Sequence, residues 1–217
     1  MCYNNTTSLG AFIFGMIFTF LLISKKKYNY ALFNCAIVFM QLIEYFGHVS
    51  LENKNTQMNT LVALCILTLV FLQPIIYTYA FSNKNELMNN NTIKYSILLF
   101  AFIYILFLFN LNQTNQLKIS YFKPDCINYC RMNWNFFGKF MYLSIPFFIM
   151  YFYVFYNAFN PKKIEHFNHF FYYALALSIL YMIFVDNLIG LKNYYSGFGS
   201  IWCIFSVIYG PVAYFYG

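Results

Sequence analysis

The sequence predicts an all-α integral membrane protein, a seven-transmembrane-helix bundle forming a single polytopic domain. Two observations carry that prediction. The 217 residues are 61% hydrophobic, 24% aromatic and only 9% charged, whereas soluble domains carry about 25% charged residues. Apolar runs of about the 17–25 residues needed to cross a bilayer core recur at 7–24, 28–50, 60–81, 95–111, 136–159, 170–185 and 198–216. These runs use most of the chain and leave no room for a soluble domain. A net charge of +7 would suggest nucleic acid in a soluble protein, but here the basic residues fall mainly in short connections between spans. Membrane topology accounts for them, and no nucleic-acid partner is expected.

The first span is preceded by no basic residue and followed at once by Lys25-Lys26-Lys27. That order is the reverse of a cleavable signal peptide, so the span is expected to be retained. Lys and Arg near span ends prefer the cytoplasmic side, which places the N-terminus on the non-cytoplasmic face and, with seven spans, the C-terminus in the cytoplasm.

The second span carries Gln41, Glu44 and His48, spaced at i, i+3 and i+7 and therefore on one helix face. A carboxylate in hydrocarbon is costly, so Glu44 is expected to face protein or a water-filled cavity and to mark a functional site. Polar residues near a helix end also fix packing between helices, and that reading stands beside the functional one. Pro74 and Pro146 fall inside the third and fifth spans, where each removes a backbone donor and favours a kink. Gln73, just before Pro74, is expected to satisfy a freed carbonyl or a neighbouring helix.

The connection 112–135 is the one long linker. It contains Cys126 and Cys130, whose C-x3-C spacing fits either a disulfide in an oxidising compartment or two free thiols on one helical turn. Asn112-Gln113-Thr114 matches a glycosylation acceptor, a chance match being common in a chain this rich in Asn.

Sorting the polar residues by depth gathers Cys2, Glu44, His48, Lys139, Asp186, Trp202 and Cys203 at the outer level of the bundle. Gln41, Glu44, His48, Lys139, Asp186 and Trp202 are the candidate lining of a polar pocket there. Cys2, Glu44, His48 and Cys203 together meet a zinc-type ligand inventory without a diagnostic spacing. No cofactor is required, and pairing of Glu44 or Asp186 with Lys139 is the least demanding account of the charges. His169 lies about 25 Å from Asp186 along the sixth helix, so the His166/His169 pair does not join this group.

Met1-Cys2-Tyr3-Asn4-Asn5-Thr6-Thr7-Ser8 resembles the M-C-[FW]-S-x-x-A-S start of a family of polytopic membrane proteins of unknown function, with bacterial and large-DNA-virus members. Ser200-Ile201-Trp202-Cys203-Ile204-Phe205-Ser206 is similar to that family's W-C-[LV]-[FY]-S segment in the last helix. Gln41/Glu44 and Phe71-Leu72-Gln73-Pro74 are similar to its Glu/Gln and F-Q-P positions. The chain departs from the pattern at Leu69 and at Trp134-Asn135, where relatives often carry histidines. The resemblance implies a fold and, for viral members, a host or virion membrane; it implies no activity.

Three functions are open on the sequence: a non-enzymatic binding or sensing module, an intramembrane metal- or thiol-dependent enzyme, and a channel or carrier for a small solute or ion. The last span has no lysine for a retinal Schiff base. A P-loop, a dinucleotide fingerprint, an H-E-x-x-H helix and an H-x-x-x-H pair on the last helix are all absent.

Overall fold

A computed structural model of the chain describes residues 5–81, 91–121, 132–134, 136–137, 140–157 and 207–215. The described elements are α1 (Asn5–Ser24), α2 (Tyr28–Glu52), α3 (Thr56–Phe81), α4 (Asn91–Gln113), β1 (Ser120–Tyr121), β2 (Met132–Asn133) and α5 (Met141–Asn157). Residues 207–215 form a further helical segment. Helices α1 to α4, of 20, 25, 26 and 23 residues, are long and apolar enough to cross a membrane. The expected sixth span, 170–185, and most of the expected seventh, 198–216, fall outside the described residues.

Each of the first four helices closes its backbone hydrogen bonds internally, which is the condition for a chain to cross hydrocarbon. The ends are closed by one recurring device. After α1, Lys27 N–H donates to Leu22 O and Lys26 N–H to Ile23 O, with Lys26 at φ 59°. The same pair of bonds ends α2 around Lys54 (φ 52°) and α4 around Asn115 (φ 51°). This is the Schellman closure, usually built on glycine because the left-handed conformation crowds a side chain. Three-residue turns then fold α1, α2 and α3 into tight antiparallel hairpins.

Helices α1 and α2 pack closely because α1 presents Gly15. A Cβ added there would lie 2.3 Å from Val38 Cγ2, and the branched Val38 has little freedom to yield. Small residues permit this approach, and polar groups then bridge it. The buried Asn34 amide donates to Gly15 O at 3.0 Å and to Thr19 Oγ1 at 2.8 Å.

Helix α5 packs against α3 and α4. It begins at Met141, whereas the sequence places the span from 136. Phe136 and Phe137 are buried ahead of the turn at Phe140, with Phe137 O accepting from Ser144 Oγ at 2.7 Å. Pro74 and Pro146 are both accommodated inside continuous helices. Thr78 Oγ1 donates to Pro74 O, and Tyr151 Oη donates to Gln73 Oε1 at 3.3 Å. Gln73 thus ties α3 to α5, as one of its two expected roles required.

The core is aromatic, with Phe33 of α2 at its centre. Its ring centroid lies 4.9 Å from Tyr77, 5.2 Å from Tyr209 and 6.1 Å from Phe155. Around the outside, large apolar side chains of α1 and α4, among them Phe20, Leu98, Phe102 and Phe109, are exposed and form the lipid-facing surface.

Two glycines of α1 separate packing from composition. Gly10→Leu, where an added Cβ meets nothing within 4 Å, is expected to leave the folded yield in detergent unchanged. Gly15→Leu is expected to part α1 from α2 and to lose the monodisperse peak in size-exclusion chromatography. Lys54→Gly should raise stability by about 0.5–1 kcal/mol by relieving the left-handed lysine, read as a higher unfolding midpoint.

Candidate functional site

Gln41, Glu44 and His48 all point into the protein, with side chains 0%, 1% and 1% exposed. Helix α2 places them there because the cost of a charge or amide in lipid turns this face inward. The stripe is longer than the sequence reading assumed. Asn34 lies seven residues before Gln41 and is also fully buried, so one face of α2 is hydrophilic over a rise of about 21 Å from Asn34 to His48.

The Glu44–His48 end of the bundle is assembled from four elements. Asn5 Nδ2 donates to Glu52 Oε2 at 3.3 Å and sets the start of α1 beside the end of α2. Ser8, two turns or less from that contact, is fully buried. The start of α3 contributes Asn59, whose Nδ2 donates to Ile119 O at 2.9 Å while its Oδ1 accepts from Ile119 N–H at 2.9 Å. A two-stranded antiparallel ladder, with Ser120 opposite Asn133 and Tyr121 opposite Met132, covers this end.

The ladder is fitted to α2 at Gly47. A Cβ there would lie 2.7 Å from Met132 Cε and 2.9 Å from Ile119 Cδ1, so the two arms press on the helix at the residue before His48. The Tyr121 ring lies 5.8 Å from the His48 ring at 32°. Burial pushes the Tyr121 phenol up from its ordinary range, and the nearby Glu52 carboxylate pushes it further. Tyr121 is therefore a neutral hydrogen-bonding group beside the imidazole at physiological pH.

Of the sequence candidates, Gln41, Glu44 and His48 are brought to one buried face. Cys2, Lys139, Asp186, Trp202 and Cys203 lie outside the described residues, as do Cys126 and Cys130. Among the described residues no three His, Cys, Asp or Glu side chains are grouped to hold a metal ion. Cys35 and Cys65 are free and half-buried. The sequence reading missed Ser8, Asn34, Asn59 and Tyr121. Asn34 had a signal, the seven-residue spacing to Gln41 and His48. Asn59 and Tyr121 had none, because near a span end they read as ordinary interfacial residues.

No family model, curated protein or solved structure matches the chain.

Trp134 adjoins β2 and is buried, its indole N–H enclosed with no hydrogen-bond partner among the described residues. The chain has two tryptophans, so Trp202→Phe isolates Trp134. Its fluorescence is expected to be blue-shifted and slowly quenched by acrylamide; emission typical of water-exposed indole would contradict the covered end.

Proposed function

We propose that this is a seven-span membrane protein acting as a non-enzymatic binding or sensing module. Its site is the Gln41–Glu44–His48 face at the non-cytoplasmic end of the bundle. The observation that carries this reading is the complete burial of a carboxylate and an imidazole one turn apart on the same inner helix face. Intramembrane ionisable residues are expensive and are retained where they serve a function. The carboxylate and the Gln41 carbonyl accept hydrogen bonds, and the imidazole either donates or accepts. This set suits a small ligand carrying a positive charge or several donors.

Binding is favoured over conduction by what lies further along the same helix. About 16 Å from Glu44, Phe33 and the rings of Tyr77, Phe155 and Tyr209 fill the bundle. The polar face thus ends against a packed aromatic layer, which leaves no polar path along α2 past Phe33.

The seven-span topology draws support from the positions of the chain's two ends. Asn5 lies beside Glu52. At the other end, Lys27 Nζ donates to Tyr214 O at 2.9 Å and Lys25 Nζ lies 4.3 Å from the Tyr214 ring centre. Residues 5 and 214 are at opposite ends of the bundle, which demands an odd number of crossings between them. The lysine turn at the Tyr214 end supports a cytoplasmic C-terminus. The resemblance of both chain ends to a polytopic family of bacteria and large DNA viruses accords with this arrangement, and on that basis the protein belongs to a cellular or virion membrane.

Protein in lipid nanodiscs, heated in the presence of Na⁺, K⁺, Ca²⁺, Zn²⁺ or choline, tests the site. At least one of these is expected to raise the unfolding midpoint saturably in the wild type and not in Glu44→Gln, with about 2–3 kcal/mol of stabilisation at a hundredfold excess over Kd. Equal shifts in both proteins, or none in either, would overturn the reading. Stoichiometric zinc in the purified protein, lost in Cys203→Ser and Glu44→Gln, would replace it with the metal-enzyme reading. Glu44-dependent solute flux into liposomes would replace it with the carrier reading. A fluorescent-protein fusion to the C-terminus is expected to fluoresce in the cytoplasm; a dark fusion that is active as a periplasmic or luminal reporter would reverse the orientation.

A further inference from the structure

We infer that the lysine turn between α1 and α2, with the last helical segment docked on it, holds the headgroup of an anionic phospholipid. This concerns the end of the bundle away from Glu44 and stands apart from the reading of that face. Two ammonium groups converge there on one residue. Lys27 Nζ donates to Tyr214 O at 2.9 Å and to Ala213 O at 3.4 Å, and Lys25 Nζ lies 4.3 Å from the Tyr214 ring centre. Lys26 stands between them in sequence and is exposed. The segments that meet here bring no acidic side chain, since residues 1–43, 53–85 and 187–217 contain neither Asp nor Glu. Among the described residues none of the three lysines forms an ion pair. Carbonyl oxygens and a ring face satisfy the ammonium donors but leave the charges in place, and like charges held close repel. An anion among them relieves that repulsion and strengthens the seat of the last segment.

The position of the turn selects a lipid over a soluble anion. Directly beside it, the last turns of α1 expose Ile17, Phe20, Leu21 and Ile23, and α2 exposes Leu32. Tyr28, immediately after the turn, and Tyr79, near the end of α3, are 61% and 65% exposed, the placement of tyrosines at headgroup level. A molecule with a negative headgroup and acyl chains matches both the lysines and the apolar face that adjoins them. A soluble phosphate matches only the lysines.

Lys54 supplies a comparison within the same chain. It is exposed and left-handed like Lys26 and ends α2 by the same pair of turn bonds. An exposed carboxylate, Glu52, lies two residues before it. The two turns therefore share a backbone and differ in charge.

Native mass spectrometry of the full-length protein, released from detergent with phosphatidylglycerol or phosphatidylcholine of the same acyl chains, tests the inference. Wild type is expected to hold phosphatidylglycerol on the order of tenfold or more tightly, since one lysine near an anionic lipid contributes about fivefold. Lys26→Gln, which removes an ammonium that makes no contact with the last segment, is expected to lower that preference about fivefold. Lys26→Arg should keep it, and Lys54→Gln should leave it unchanged. Equal retention of the two lipids by wild type would overturn the site. So would equal losses in Lys26→Gln and Lys54→Gln, which would show a diffuse effect of net charge. Displacement of bound phosphatidylglycerol by inorganic phosphate at equal concentration would overturn the lipid and assign the turn to a soluble anion.

Discussion

Hydrocarbon offers no partner to a polar group, and every other feature of this molecule follows from that constraint. Backbone groups are satisfied within helices, and the helix ends, where intrahelical partners run out, are closed by the same pair of turn bonds after α1, α2 and α4. The closure is kept even where the sequence supplies lysine in place of glycine. A left-handed lysine at Lys26 or Lys54 is less costly than carbonyls left open near the membrane.

The same constraint sorts the side chains. Apolar residues are free to face either lipid or protein, so α1 and α4 carry large rings and branched chains outward. Hydrophilic ones are driven inward and must then find each other. Asn34 binds α1, Gln73 receives Tyr151 from α5, and Asn59 holds a backbone segment at both of its hydrogen-bonding groups. Where lipid and protein are equally apolar, such bridges and close small-residue contacts supply the specificity of helix pairing that apolar burial supplies in water.

The result is a bundle with two unlike ends. At one, the buried stripe of α2 meets a two-stranded ladder, the Tyr121 ring beside the His48 imidazole and the Asn59 clamp on Ile119. At the other, Phe33 and its ring neighbours are packed solid, and a lysine turn caps the last helical segment through the carbonyls of Ala213 and Tyr214. Cations at a helix C-terminus complement its dipole, so this end is held by electrostatics as well as packing. The stripe thus runs from the close α1–α2 contact at Asn34 to the ladder that lies against Gly47.

Composition and run length by themselves determined the helical membrane character of the chain, the positions of its first four apolar helices to within a few residues, and the inward face of Glu44. All of these follow from transfer energies that act on each residue separately. The start of α5 was not legible in that way, since Phe136 and Phe137 are as apolar as any spanning residue and only the turn at Phe140 sets them ahead of the helix. Nor were Ser8, Asn59 and Tyr121 legible as neighbours of the stripe. Their roles depend on which helix ends meet, and the approach of α1 to α2 at Gly15, together with the seating of Ile119 and Met132 on Gly47, is decided by shape complementarity between segments distant in sequence. A transfer scale contains no term for that, which is why the inward face of Glu44 was written in the sequence and its neighbours only in the tertiary structure.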